Sequence, residues 1–116
     1  TLCDLAGVPA PEHLDGANLR PLLEDPAATW ELPAISTHGS GNHMIQTRYE
    51  RLIRYANGDE EFYDHRTDPN EWANLAGTEE VRAAQAELAK WLPEKEVAEV
   101  ANDTKRLKAK KSKKTK

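Results

Sequence analysis

The sequence is poor in sulfur and aromatic residues, with one cysteine, one methionine and one phenylalanine among 116 residues. A single thiol, Cys3, excludes an internal disulfide and leaves the redox compartment open. It also excludes zinc sites built on paired cysteines. No run of about 18 apolar residues is present, so no segment reads as a membrane-spanning helix. Neither a phosphate-binding GxxxxGK[ST] loop nor a GxGxxG turn occurs. No signal-peptide pattern is read at the start. However, Thr1 opens inside an apolar helical pattern, and the chain reads as a piece of something longer. Charge is segregated along the chain. Residues 105–116 hold 8 bases and no acid, whereas residues 1–104 hold 20 acids and 8 bases, a net of −12. The overall −4 therefore describes neither part.

What is present implies one small soluble domain with a thin core, 38% hydrophobic and 31% charged. Its organising stretch is Tyr49 to Leu75, YERLIRYANGDEEFYDHRTDPNEWANL. Asn57-Gly58 predicts a β-hairpin with a type I′ turn. That turn would pair Ile53 with Phe62, Leu52 with Tyr63, Arg54 with Glu61, Arg51 with Asp64 and Glu50 with His65. Such a register matches apolar to apolar and most charges to their opposites.

Before the hairpin, TLCDLAG reads as the last turns of a helix stopped by Gly7. A Pro-rich connection leads to LRPLLED, a short helix capped by Asn18 and closed by Pro26. Ala34–Thr37 and Met44–Thr47 read as strands separated by the Gly-rich HGSGNH. After the hairpin, Asp68, Pro69 and Glu71 fit N-cap, N1 and N3 of a brief helix carrying Trp72 and Leu75. Thr78 is placed to cap a longer helix, with Val81, Ala84, Leu88, Trp91 and Leu92 on one apolar face. Residues 94–103 could add a marginal helix, and KRLKAKKSKKTK reads as a disordered Lys-rich tail. The expected fold class is α+β, with an antiparallel sheet of three or four strands packed against the helix over residues 79–92.

Chemistry is sparse. Cys3 sits on an apolar helical face with no base near it and reads as a small buried hydrophobe. Ser36, Thr37, His38 and Ser40 lack a nucleophile elbow. Asp59, Glu60, Glu61 and Asp64 read as a solvated hairpin tip. His38, His43 and His65 match no zinc spacing, though their convergence in space would permit a metal hydrolase. The basic tail suits non-specific phosphate contact, but it lacks interleaved aromatics and the acidic body repels nucleic acid. No nucleic-acid partner is expected. A free-standing interaction module with a polybasic tail is the alternative from a non-enzymatic class.

Several motifs in order resemble the C-terminal part of a sulfatase of the alkaline-phosphatase-like superfamily. TLCDLAGVPAPEHLDGANLRPLLEDP resembles the end of that family's catalytic α/β domain. THGSGNHMIQT and RLIRYANGDEEFYDHRTDPNEWANLA resemble the smaller subdomain that follows, and LAKWLP resembles its last helix. The GNH loop and the Glu-Trp pair look closest to the iduronate-sulfatase-like branch. The resemblance covers residues 1 to about 101. It implies three parts: residues 1–30 ending the catalytic domain, 31–101 forming the C-terminal subdomain, and the tail over 102–116. Gln46 stands where Arg is expected, and Glu50 stands where an aromatic is expected.

Family members hydrolyse sulfate esters with a formylglycine made in a C/S-x-P-S/A-R motif, beside a calcium held by Asp and Asn. Cys3 is followed by Asp4-Leu5-Ala6, so no catalytic or metal residue carries over to this chain. The resemblance implies instead a missing N-terminal catalytic domain as partner, a sulfated carbohydrate as the parent's substrate, and a periplasmic or secreted location. It makes His38, Asn42 and His43 candidates for one wall of the substrate cleft. The surface meeting the catalytic domain should be apolar, with Leu2, Leu5, Leu19, Leu22, Leu23 and Trp30 as members.

Overall fold

A computed structural model describes residues 1–97. The chain divides into two compact units, Thr1–Leu32 and a second beginning at Pro33.

The first unit holds two short helices, α1 (Leu2–Leu5) and α2 (Arg20–Glu24). Gly7 leaves α1 at φ +68°, the left-handed conformation that ends helices most cheaply on glycine. Asn18 acts at the start of α2, its Oδ1 accepting the Arg20 N–H at 3.1 Å. Polar contacts join the helices. The Leu19 N–H donates to Thr1 Oγ1 at 2.8 Å, and Asn18 Nδ2 donates to Asp4 at 3.0 Å. Leu2, Leu5, Leu19 and Leu23 are exposed, while Leu22, Trp30 and Cys3 are half-buried. Cys3 is thus not the enclosed side chain its apolar neighbours suggest.

The second unit is an antiparallel meander of β1 (Ala34–Thr37), β2 (His43–Gln46), β3 (Glu50–Arg54) and β4 (Glu60–Asp64), in that spatial order. Helix α3 (Arg82–Ala89) covers one face. Ile35, Ile45, Leu52 and Phe62 form a row across the four strands on that face. The last three are essentially sealed from solvent and pack with Val81 and Leu88. Each such side chain contributes about 1.5–3 kcal/mol by burial. The expected α+β class is observed, with four strands in a sheet expected to hold three or four.

The hairpin register differs from the expected one by one residue. Leu52 faces Phe62, Arg51 faces Tyr63 and Glu50 faces Asp64. The turn is the reason. Gly58 lies at φ +91°, but Asn57 does not have positive φ, so the loop is not type I′. Instead the Gly58 N–H donates to the Tyr55 carbonyl at 2.9 Å, and the Tyr55 N–H donates to the Asp59 carbonyl at 2.9 Å. These bonds close a three-residue loop with a glycine bulge. Asn57 contributes through its side chain, accepting the Asp59 N–H at 3.0 Å. The extra loop residue places Leu52 beside Phe62 in the core. It also opposes Glu50 to Asp64, and Arg66 bridges both carboxylates at 2.8 Å.

Two expected helices are altered. No helix follows Asp68, because Glu71 lies at φ +58°. Its carboxylate is drawn to Arg51 at 2.8 Å and to His65 at 2.7 Å. The segment instead covers the outer edge of β4. Asn74 bonds the Phe62 N–H and the Glu60 carbonyl, and the Leu75 N–H donates to the Phe62 carbonyl at 2.9 Å. This covers an edge that would otherwise invite pairing.

The longer helix starts later than expected. Val81, not Thr78, precedes α3, and the helix ends at Ala89. Trp91 lies beyond that end and is 44% exposed, so it leaves the core that Val81, Ala84, Leu88 and Leu92 share. Residues 94–97 are not helical. The rest of the expected marginal helix, and the Lys-rich tail, lie outside the described residues.

Candidate functional site

The HGSGNH loop joins β1 to β2, and its conformation follows from two residues. Gly41 lies at φ +78°, and a Cβ there would sit 2.9 Å from the Ala56 Cβ. Only glycine allows this loop to rest on the β3–β4 turn. Asn42 makes the connection. Its Oδ1 accepts the Ala56 N–H at 3.1 Å, while its Nδ2 donates to the His38 and Ser40 carbonyls at 3.0 and 3.3 Å. Each donor and the acceptor of this amide is engaged, so Asn42 positions the loop.

His43 opens β2 and is 6% exposed, the one buried polar side chain among the described residues. Nδ1 lies 2.9 Å from Thr37 Oγ1, and Nε2 lies 2.6 Å from Glu96 Oε1. With Glu96 ionised, Nε2 carries the proton. In the neutral ring Nδ1 then accepts from the threonine hydroxyl. The second carboxylate oxygen of Glu96 accepts the Gly41 N–H at 2.9 Å. The His43 bond, then the Gly41 bond, holds the Glu96 carboxyl below the usual carboxylate range against the opposing effect of desolvation.

His38 is exposed at the loop's start. With Asn42, His43, Met44, Ile53 and Tyr55 it lines a concavity of about 290 Å³. Ser36, Met44, Ile53 and Glu61 follow one another across the strands, one position removed from the core row and hence on the opposite face. On this face Glu61 accepts hydrogen bonds from Tyr55 at 2.9 Å and from Tyr63 at 2.7 Å. The concavity thus combines an imidazole, an amide, a phenol and an apolar floor.

The three histidines are not brought together as ligands. His43 is held by Thr37 and Glu96, and His65 by Glu71 and Gln46. Among the described residues no three His, Cys, Asp or Glu side chains gather as a metal site. Gln46, in place of the expected Arg, still carries a polar contact, accepting from Arg51 at 2.7 Å. Glu96 and Tyr55 were not singled out from the sequence. Glu96 lies 53 residues from His43 in a stretch without a local motif, so only the fold reveals the pairing.

Residues 1–98 match the family described as N-sulphoglucosamine sulphohydrolase, C-terminal. The chain is 33% identical over 93 residues to a sulfatase of Formosa agariphila, covering 80% of this chain and 18% of that protein. It is 33% identical over 118 residues to an N-acetylglucosamine-6-O-sulfatase of Bacteroides thetaiotaomicron, covering 89% of this chain and 21% of that protein. A solved structure, BT4656 in complex with its substrate D-glucosamine-2-N,6-O-disulfate, aligns with a TM-score of 0.62 and 31% identity over 78% of this chain and 21% of its own. The chain spans about a fifth of the length of these relatives. No helix among the described residues is long and apolar enough to cross a membrane.

Proposed function

Because the chain belongs to the family of N-sulphoglucosamine sulphohydrolase C-terminal regions, we propose that it serves as the closing subdomain of a sulfatase acting on a sulfated carbohydrate. Residues 1–30 end the larger catalytic domain, residues 31–101 form the subdomain, and residues 102–116 form its basic tail. Ester hydrolysis belongs to the remaining part of the protein, where formylglycine and calcium would reside. The described residues of this chain fit neither group, since they hold no cluster of metal-ligating side chains and Cys3 lacks the modification motif.

The observation that carries the reading is the concavity at the HGSGNH loop. It offers hydrogen-bonding groups from His38 and Tyr55 over an apolar floor, a combination suited to a sugar's hydroxyls and its apolar face. Asn42 and His43 fix the shape of that wall through their internal bonds. Relatives named for sulfated glucosamine substrates support a sulfated carbohydrate as the substrate class.

The first test is the mass of the natural protein, read with an antibody raised against residues 45–75. A band far above 13.0 kDa is expected, with a formylglycine in its upstream peptides. A band at 13.0 kDa would overturn the reading in favour of a separate interaction module. In the natural enzyme, His38→Ala should raise KM for a sulfated saccharide about tenfold, the scale of one lost substrate hydrogen bond of about 1.4 kcal/mol. Turnover of a small aryl sulfate should stay unchanged. Equal losses on both substrates would reduce His38 to a structural role.

A further inference from the structure

The Glu96 carboxylate is held in a manner that resembles a bound ligand. Its two oxygens meet two separate donors, the Gly41 main-chain N–H at 2.9 Å and His43 Nε2 at 2.6 Å. The donor side is rigid. Gly41 is wedged against Ala56, Asn42 ties the loop on three sides, and the buried His43 ring is fixed through Thr37. The acceptor side is not built in the same way. Glu96 lies past the end of α3 in a stretch without regular structure, its side chain is 49% exposed, and these are its two bonds among the described residues.

A preformed pair of donors closed by a side chain from an irregular segment is the arrangement of a capped receptor. We propose that Gly41 N–H and His43 Nε2–H form a binding site for the oxyanion group of an acidic saccharide, sulfate or carboxylate, and that Glu96 occupies this site until such a group displaces it. Sulfate and carboxylate both present two oxygens on one centre, as Glu96 does, and charge-assisted bonds to N–H donors suit both. His43 also takes part in lining the concavity already described, and Gly41 belongs to the same loop. The assignment therefore rests on the reading of that loop as a substrate wall. The anion site is read without turnover, however, so it can fail while the sulfatase reading stands.

The test is a titration of the ¹⁵N-labelled chain with sodium sulfate, following the Gly41 amide and the His43 ring by NMR. A cap that leaves a site open about one-tenth of the time weakens apparent affinity about tenfold. Glu96→Ala should therefore bind sulfate about tenfold more tightly than the unsubstituted chain, with saturable shifts at Gly41 and His43. His43→Gln added to Glu96→Ala should abolish the response. Sodium glucuronate forms a second arm. A response to sulfate alone assigns the site to sulfate groups, and a response to both extends it to uronates. Three results would overturn the proposal. One is a Glu96→Ala chain with native dispersion and no shift at Gly41. Another is equal affinity with and without Glu96. The last is the same shifts from sodium chloride at matched ionic strength.

Discussion

Tyr63 shows what one hydrogen bond does to a side chain on the open face of the sheet. Its hydroxyl donates to Glu61 at 2.7 Å, and this bond, reinforced by burial, pushes the phenol up to about 12. The folded chain therefore keeps a proton that the unfolded chain releases near pH 10, the ordinary range for tyrosine. The stabilisation is complete below that pH and is lost as pH rises toward about 12. Urea unfolding followed from pH 9 upward should show a steep alkaline loss of stability, and Tyr63→Phe should flatten it. An identical profile in the variant would mean that other groups govern that limb. At the same scale the sequence was informative in part. Asn42 and His43 attract attention because they lie beside two glycines, and both proved to be held by specific bonds. Glu96 could not be found that way, because nothing near Val97 or Lys95 marks it as a partner of a histidine in another strand.

Among elements, the β3–β4 hairpin was legible in its existence and position, yet its register was not. Asn-Gly admits two turn geometries, and the two differ by one residue in the loop. The burial of Leu52 against Phe62 agrees with the bulged form, which aligns both with Ile45. Substitution distinguishes the geometries. Gly58→Ala should cost about 1 kcal/mol or more, since glycine alone accepts φ +91° without strain. Asn57→Ala should cost less, only the side-chain bond to Asp59, because its own backbone needs no positive φ. Equal costs in thermal unfolding would indicate a type I′ turn. The DPNE segment failed for a different reason. A good helix-start signature is a local preference of about 1 kcal/mol. It yields where Glu71 joins Arg51 and His65 and where Asn74 closes the sheet edge.

At the scale of the whole molecule, large apolar side chains are exposed in both units among the described residues. Leu2 is 82% exposed and Leu23 63%, and Trp72 is 86% exposed in the second unit. The proposed role as the closing part of a larger protein requires apolar side chains that stay exposed when the chain is alone. The isolated chain should enhance anilinonaphthalene sulfonate fluorescence, and a Leu2→Ser, Leu5→Ser, Leu23→Ser variant with unchanged near-ultraviolet dichroism should lose most of that signal. Absence of enhancement in the unsubstituted chain would show that these leucines are covered in solution. The order of the strands has a kinetic consequence. Each strand in β1-β2-β3-β4 pairs with the one that follows it in the chain, so every pairing closes a short loop. Short closures lose little entropy before contacts form, and topologies of this sort fold on the order of milliseconds. The sheet can thus assemble by successive zippering of neighbouring strands.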